Sequence, residues 1–282
     1  MKLSMLKLLI AIILLNISLS AKTLAQKITS YERHRLRQDQ RFELKDLKQT
    51  FSQKLSDGWT GYVFKIKLAI HTSKTKTKII NINDILFSNG TFITSELRSM
   101  KGLDLKRTIH PKLDKRYYTD SHLIAGNKNA KHKLVLFSDP LCPICTGETP
   151  KIIKTVQQHP DIFALYYISY PLDMHPTAKT IAKAAQLLRY KNMQNADYKV
   201  YTAHLDKYFD PYTNKNDKKS LMALNKVLGT KLTIKDVNSP FITKQIKSDI
   251  KLANDALVNG TPTLFIDGKV DLTRETYKKY IK

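Results

Sequence analysis

The apolar residues at the start of the chain form one continuous block rather than a periodic pattern. Lys2 and Lys7 precede an uncharged run of 14 residues, from Leu8 to Ala21. At about 1.5 Å per residue, such a run is too short to span a hydrocarbon core of about 30 Å, and it is typical of the apolar region of a secretory signal. We therefore expect residues 1–25 to be a signal peptide and the remainder to be an exported, soluble protein. An uncleaved membrane anchor is the alternative.

Residues 26–105 combine a helical spacing with extended patterns. Apolar side chains recur at intervals of three and four residues, as on one face of an amphipathic helix, at Leu44, Leu47, Phe51 and Leu55. Alternating apolar and polar positions then predict strands over 59–71 and 76–96, with a hairpin turn at Ser88-Asn89-Gly90. These elements make a small α+β domain whose thin core favours dimerisation, because pairing would bury a sheet edge; a monomeric accessory domain is the alternative. Residues 106–125, rich in Lys and Arg, indicate a linker.

The second half of the chain alternates strand-like and helical patterns. Lys133–Ser138 is a short apolar run of the strand type, and apolar residues in the following segment share one helical face. The region from about Pro176 to Ala256 is helical throughout. A second strand-like run, Leu264-Phe265-Ile266, precedes an Asp-Gly turn and a closing helix from about Thr273. We expect an α/β domain over residues 126–282.

Composition places the chain among folded proteins, and its length predicts two domains. It has 282 residues, of which 42% are hydrophobic, and only nine glycines and ten prolines, which excludes disordered and collagen-like classes. Its 48 basic and 24 acidic residues give a net charge of +24, spread as +10 over residues 26–125 and +11 over residues 126–282. A nucleic-acid-binding arm would concentrate this charge, and only nine of the basic residues are Arg. We therefore expect no nucleic-acid partner; the charge can instead attract acidic client proteins or an anionic membrane surface.

The chain has only two cysteines, and they stand together as Cys142-Pro143-Ile144-Cys145. They follow a predicted strand and precede a predicted helix, so we expect Cys142 at the helix N-terminus, where unpaired N–H groups and the helix dipole stabilise a thiolate. Cys145, one turn further, is expected to point inward as the partner in an exchangeable disulfide. The alternatives are half of a zinc site, for which no second cysteine pair exists, and an inert bridge, whose small loop would gain little chain entropy. The pattern predicts a redox-active dithiol that needs neither metal nor cofactor.

A second motif, Asn259-Gly260-Thr261-Pro262-Thr263, lies at the head of the later strand. A proline that follows a glycine-containing turn and begins a strand is a plausible site for a cis peptide bond. Such a loop would leave backbone groups beside the thiols free to pair with an extended substrate peptide. The alternative is an ordinary proline that starts a strand.

The order strand, CPIC motif, helix, and then Thr261-Pro262 before a hairpin and a final helix resembles the thioredoxin fold. Phe137–Cys145 is similar to the corresponding stretch of the periplasmic disulfide interchange proteins DsbG and DsbC, and the region over about 176–256 matches the helical insertion of that family. The resemblance covers residues 126–282. Asp84–Thr94 also resembles the hairpin of the family's cystatin-like dimerisation domain, which we expect over the first α+β segment.

This resemblance implies thiol–disulfide exchange in the periplasm, by a homodimer, on exported proteins that contain cysteines, with a membrane reductase or oxidase as redox partner. Cys142 would attack a substrate disulfide, and Cys145 would resolve the mixed disulfide. The residues expected to contact the substrate are Thr261, Pro262, Pro143 and Ile144. DsbC and DsbG also have Thr before this proline whereas DsbA has Val, which favours isomerase or reductase activity here. The alternatives are a dimeric DsbA-like oxidase and a holdase chaperone with secondary redox activity.

Two positions differ from the family pattern. Leu136 stands where thioredoxin has a buried acid, and Asp139 is a different position, suited either to capping the turn or to moving protons. Ile144 stands where DsbA has His, so thiolate stabilisation falls on the helix N-terminus. We therefore expect the pKa of Cys142 to lie below the free-thiol value of about 8.5 but above the value of about 3.5 in DsbA. His175 is expected to start the long helical region.

Overall fold

The computed structural model describes residues 22–73 and 76–281. Of the predicted signal peptide, residues 1–25, positions 1–21 lie outside the described residues. Leu24 and Ala25 belong to a helix. The chain divides after Lys106 into two compact units. None of the helices formed by the described residues combines the length and the apolar character needed to cross a membrane.

The first unit is a helix on an antiparallel sheet. Helix α1 spans Leu24–Gln38. The four strands, paired in chain order, are β1 Glu43–Lys54, β2 Thr60–Ser73, β3 Lys76–Ser88 and β4 Ile93–Thr94. Alternate residues of β2, from Tyr62 to Leu68, share one hydrophobic cluster with Ile28 and Leu36 of α1, because successive side chains of a strand point to opposite faces. The predicted hairpin turn between β3 and β4 is present, with Phe87 opposite Thr94.

The amphipathic helix predicted in this unit is wrong. Its apolar positions lie in or just after strand β1: Leu44, Leu47, Phe51 and Leu55. The β1–β2 register shifts between Leu44 and Asp46, and a bulge there inserts one residue, so that Leu44 and Leu47 share a face despite their odd spacing. The bulged strand therefore imitates the three-residue interval of a helix. The helix of this unit lies earlier, where Thr23 and Gln26 form a capping box.

The second unit, from Arg107, is built on a five-stranded mixed sheet. Its strands are β5 Leu123–Gly126, β6 His132–Ser138, β7 Phe163–Ser169, β8 Thr263–Ile266 and β9 Lys269–Asp271. They lie in the order β5-β7-β6-β8-β9, and β6 and β7 are parallel while all other neighbours are antiparallel. Helix α2, Pro143–Gln158, connects the parallel pair. Every residue of β7 is buried, which explains why these central strands are almost continuously apolar in sequence.

Five helices fill the chain between β7 and β8. They are α3 Ala178–Tyr190, α4 Ala196–Tyr201, α5 Asp217–Leu228, α6 Ile234–Val237 and α7 Pro240–Asp255. They have a hydrophobic cluster of their own, which includes Ile181, Leu188 and Leu224. The helical region predicted over about 176–256 is therefore present.

Two further predictions are wrong at the edges of this unit. Residues 107–125 are not a linker: Leu113 and Tyr117 are buried, and the Tyr117 hydroxyl donates to the carbonyl of Leu252 at 3.1 Å. Apolar side chains spaced among charged ones pack on the sheet here, and β5 forms one of its edges. The closing helix expected from Thr273 is only a short 3₁₀ turn, Thr276–Tyr280. Asp271 accepts hydrogen bonds from both Thr273 and Thr276, so the residues from Thr273 to Thr276 form a turn held by this carboxylate.

Candidate active site

The dithiol lies where strand β6 ends and helix α2 begins. Cys142 is the N-cap residue of α2 and has an extended backbone, and Pro143 occupies the first turn. Proline is tolerated there because the N–H groups of the first turn have no acceptor within the helix. The carbonyl of Cys142 accepts from the Thr146 N–H at 3.0 Å and closes that turn. Cys142 is 7% exposed and Cys145 is completely buried, whereas Ile144 between them is 58% exposed. Only the first sulfur is therefore accessible to a substrate.

The two thiols, both free in this structure, have opposite electrostatic environments. A hydrogen bond from the Cys145 side chain lowers the pKa of Cys142 from 9.0 to about 6, with help from the backbone N–H groups of Cys145 and Ile144 and against the effect of burial. Burial and the neighbouring sulfur raise the pKa of Cys145. Cys142 is thus a thiolate at neutral pH, as expected from its place at a helix N-terminus, and Cys145 is a protonated thiol.

The Thr261-Pro262 segment lies against the dithiol. The peptide bond between these two residues is cis, and the segment leads into β8, whose Thr263 pairs with Phe137 of β6. This register brings the Thr261 carbonyl within 3.6 Å of the Cys142 sulfur. The Thr261 hydroxyl is buried without a hydrogen-bond partner, and the nearby Thr261 side chain lowers the pKa of both thiols. Two motifs more than one hundred residues apart in sequence therefore meet at one sulfur.

A cavity of about 360 Å³ opens beside this segment. The predicted substrate-contacting residues in its wall are Ile144, Thr261 and Pro262. Pro143, the fourth, is exposed at the start of α2 and does not line the cavity. The wall also includes Arg107, Arg274 and Asp271, and the Arg274 Nε is a buried atom without a hydrogen-bond partner. Two basic side chains and one acidic side chain thus line the groove beside the Thr261-Pro262 segment.

Asp139 fixes the loop that precedes the dithiol. Its carboxylate accepts the N–H of Leu141 at 2.8 Å and the N–H of Leu172 at 2.8 Å, and it lies 2.7 Å from His175 Nδ1. A carboxylate only accepts, so Nδ1 of His175 carries the proton. Of the two roles considered for Asp139, the structure supports capping of the turn. His175 pairs with this acid as well as preceding helix α3, and among the described residues no three His, Cys, Asp or Glu side chains are grouped to hold a metal ion.

Sequence reasoning missed a group of buried hydroxyls beneath Cys145. The four residues that supply them are Ser138, Thr149, Tyr167 and Tyr201. Cys145, Tyr167 and Tyr201 belong to one buried cluster, and the side chain of Ser138 lowers the pKa of Cys145. Leu136, at the position of thioredoxin's acid, is instead part of the apolar core. Nothing in the sequence pattern joins hydroxyls that stand on two strands and two helices.

Comparison with known proteins gives a family match over more than half of the chain: the thioredoxin family model matches residues 118–282. Similar solved structures include a thioredoxin-like oxidoreductase from Silicibacter pomeroyi DSS-3, with 18% identity over 60% of this chain and 96% of that chain and a TM-score of 0.48. DsbA2 from Pseudomonas aeruginosa has 22% identity over 57% of this chain and 92% of its own, with a TM-score of 0.42. Oxidised BdbD from Bacillus subtilis has 18% identity over 62% of this chain and 98% of its own, with a TM-score of 0.47. No curated protein matches the chain significantly.

Proposed function

The chain belongs to the thioredoxin family, and from this premise we propose that it is a periplasmic thiol–disulfide oxidoreductase that isomerises or reduces disulfides in exported proteins. The observation that carries this proposal is the asymmetry of the dithiol. Cys142 sits at a helix N-terminus with a pKa lowered to about 6, and the buried Cys145 has a raised pKa. A nucleophile and a resolving thiol of this kind are what disulfide exchange requires.

In the proposed reaction, the Cys142 thiolate attacks one sulfur of a substrate disulfide. A bond forms between Cys142 and that sulfur, and the second substrate sulfur leaves as a thiolate. Reduction is completed when Cys145 attacks Cys142, which oxidises the protein dithiol and releases the substrate thiol. Isomerisation is completed when a different substrate thiolate attacks the mixed disulfide instead, which returns Cys142 to its reduced form.

Substrate binding is proposed for the surface formed by Thr261, Pro262, Pro143 and Ile144. The exposed Ile144 supplies an apolar contact, and the cavity beside Thr261 and Pro262 has room for a substrate side chain. An extended peptide can pair with free backbone groups of this segment. The substrates would be exported proteins with cysteines, and a membrane reductase or oxidase would restore the dithiol.

Two assays on the same preparation test the proposed activity. Reactivation of scrambled ribonuclease measures isomerisation, and recovery of reduced ribonuclease measures disulfide introduction. We expect activity in the first assay and its loss in the Cys142→Ser variant. Activity confined to the second assay would contradict isomerase function.

The second candidate is an oxidase that introduces disulfides, and the low pKa of Cys142 favours it. A stabilised thiolate stabilises the reduced protein, which makes the disulfide a stronger oxidant. Equilibration with glutathione distinguishes the two candidates. A reduction potential near the value of about −120 mV found for DsbA would favour the oxidase, and one near the value of about −180 mV found for protein disulfide isomerase would favour the isomerase.

A further inference from the structure

The hydroxyls beneath Cys145 form a connected chain. The Tyr201 hydroxyl donates to Ser138 Oγ at 2.7 Å, and the hydroxyls of Tyr167 and Tyr201 lie 2.9 Å apart. Thr149 Oγ1 lies 2.9 Å from Ser138 Oγ. Ser138 and Thr149 are completely buried, and the two tyrosines are 1% and 2% exposed. These groups therefore bond to one another with little competition from water.

The direction of each hydrogen bond in this chain can be assigned because each hydroxyl has only one proton to donate. Because Tyr201 gives its proton to Ser138, the short contact with Tyr167 requires Tyr167 to donate to Tyr201. The other oxygen near the Tyr167 hydroxyl, the Ser138 carbonyl, is 3.4 Å away, which is long for an O–H···O bond. A serine hydroxyl accepts two hydrogen bonds and donates one. Ser138 can therefore accept from Tyr201 and Thr149 and direct its own proton towards Cys145, which packs in one buried cluster with both tyrosines and whose pKa the Ser138 side chain lowers.

The charged groups near this chain act in opposite directions on Tyr167. The Arg189 guanidinium lies over the Tyr167 ring, 5.2 Å from its centre, and its positive charge favours donation by the phenol, whereas burial and the charge of Asp197 raise the pKa of Tyr167. Asp197 lies 3.5 Å from Arg189 Nε, and the other acid near the dithiol, Asp139, is occupied by two backbone N–H groups and His175. The Cys142 sulfur also interacts with Cys145 and raises its pKa. At Cys145 itself, the side-chain partners are hydroxyls and the Cys142 sulfur.

We propose that Ser138, Tyr201 and Tyr167 are positioning residues that stabilise the Cys145 thiolate through a directed chain of donated hydrogen bonds. This inference rests on the proposed function. In the resolving step, the Cys145 sulfur bonds to the Cys142 sulfur and the bond from Cys142 to the substrate sulfur breaks. The substrate sulfur leaves with the electron pair and ends with the proton that Cys145 has lost, so the dithiol is oxidised and the substrate sulfur is reduced. The reverse reaction expels Cys145 as a thiolate, so the same chain serves both directions.

The test separates the two sulfurs by mixing the reduced protein with excess 5,5′-dithiobis(2-nitrobenzoate) in a stopped-flow instrument. The first release of coloured thiolate reports attack by Cys142, and the second reports resolution by Cys145. Tyr201→Phe removes the hydroxyl and keeps the ring. Because Tyr201 donates to the Ser138 hydroxyl and not to the sulfur itself, we expect the second phase to slow roughly twofold to tenfold, as for a lost hydrogen bond between neutral groups. The second phase should also reach its full rate only at higher pH, while the first phase keeps its rate.

Matched variants keep the outcome interpretable. Tyr166→Phe is the control, because Tyr166 is a buried neighbour of Tyr167 on β7 outside this hydroxyl chain, and both of its phases should match the wild type. Tyr167→Phe, at the far end of the hydroxyl chain, should slow the second phase less than Tyr201→Phe.

If Tyr201→Phe fails to fold, the pair Ser138→Ala and Ser138→Thr replaces it. We then expect slow resolution in Ser138→Ala, which lacks the hydroxyl, and not in Ser138→Thr, which keeps it. An unchanged second phase in a folded Tyr201→Phe or Ser138→Ala protein overturns the inference, whereas absence of the first phase in the wild type overturns the proposed function itself.

Discussion

At the scale of single residues, the Cys142 thiolate links the stability of the reduced protein to pH. Its pKa is lowered from 9.0 to about 6 on folding, so between these values the unfolded state binds more protons than the folded state. The resulting stabilisation is complete above about pH 9 and is lost as pH falls through about 6. We expect the free energy of unfolding of the reduced protein to rise across this window by an amount on the order of 2–4 kcal/mol relative to Cys142→Ser, measured by urea denaturation. Parallel curves for the two proteins would contradict the low pKa.

Thr261 offers a second prediction at this scale. Its hydroxyl is buried without a hydrogen-bond partner, is available to donate to the Cys142 thiolate, and lowers the pKa of Cys142; Thr261→Val removes this hydroxyl while keeping the shape of the side chain. We expect the pKa of Cys142 to rise by about one unit, because hydrogen bonds to charged groups contribute roughly 1.5–3 kcal/mol. The rate of alkylation by iodoacetamide against pH measures this shift. Thr155→Val is the control, since its hydroxyl donates to the Lys151 carbonyl at 2.9 Å on the same helix, and equal profiles for both variants would refute the role of Thr261.

At the scale of secondary-structure elements, the junction between β6 and α2 depends on the buried Asp139. Asp139→Ala would leave the N–H groups of Leu141 and Leu172 and the proton on His175 without their acceptor. We expect the free energy of unfolding to fall by roughly 2–5 kcal/mol, the cost of unsatisfied buried donors. Urea denaturation beside the exposed-site control Asp161→Ala measures the difference. Equal losses in the two variants would show that the junction does not need the carboxylate.

The elements and site residues that could be predicted from sequence are those whose signals are local. Strand β6 is predicted over Lys133–Ser138 and begins one residue earlier in the structure. It could be predicted because a strand that is buried on both faces is continuously apolar. Cysteines separated by two residues and a proline at the head of a strand are also local signals. Strand β1 was missed because its bulge changes the periodicity. The hydroxyl chain was missed because Ser138 and Tyr201 meet only through tertiary packing.

At the scale of the whole molecule, the first prediction concerns the number of chains. The first unit exposes a large apolar side chain just before strand β4: Phe92 is 65% exposed. We expect this position to take part in the homodimer expected from the sequence, since dimerisation would remove the ring from water. Light scattering should give about twice the mass of one chain, and Phe92→Lys should halve it. Met222→Lys, at a 61% exposed position of the second unit, is the control, and a single-chain mass for the wild type would contradict the dimer.

The net charge of +24 predicts which substrates react fastest. Arg107 and Arg274 line the cavity beside Pro262 together with Asp271, whose carboxylate accepts hydrogen bonds from Thr273 and Thr276. A disulfide flanked by acidic residues is therefore attracted by the net charge of the whole molecule and by the two arginines of the groove. We expect reduced protein to react several-fold faster with an acidic disulfide peptide than with a basic one at low salt. The difference should shrink above about 0.1 M salt, where the screening length falls to about 10 Å. Arg274→Gln should reduce the difference in rate between the two peptides more than Lys154→Gln does. Lys154 lies on the exposed side of α2, whereas the charge of Arg274 lies at the proposed substrate surface. Equal rates for the two peptides at low salt would show that neither the net charge nor the arginines of the groove influence the reaction at Cys142.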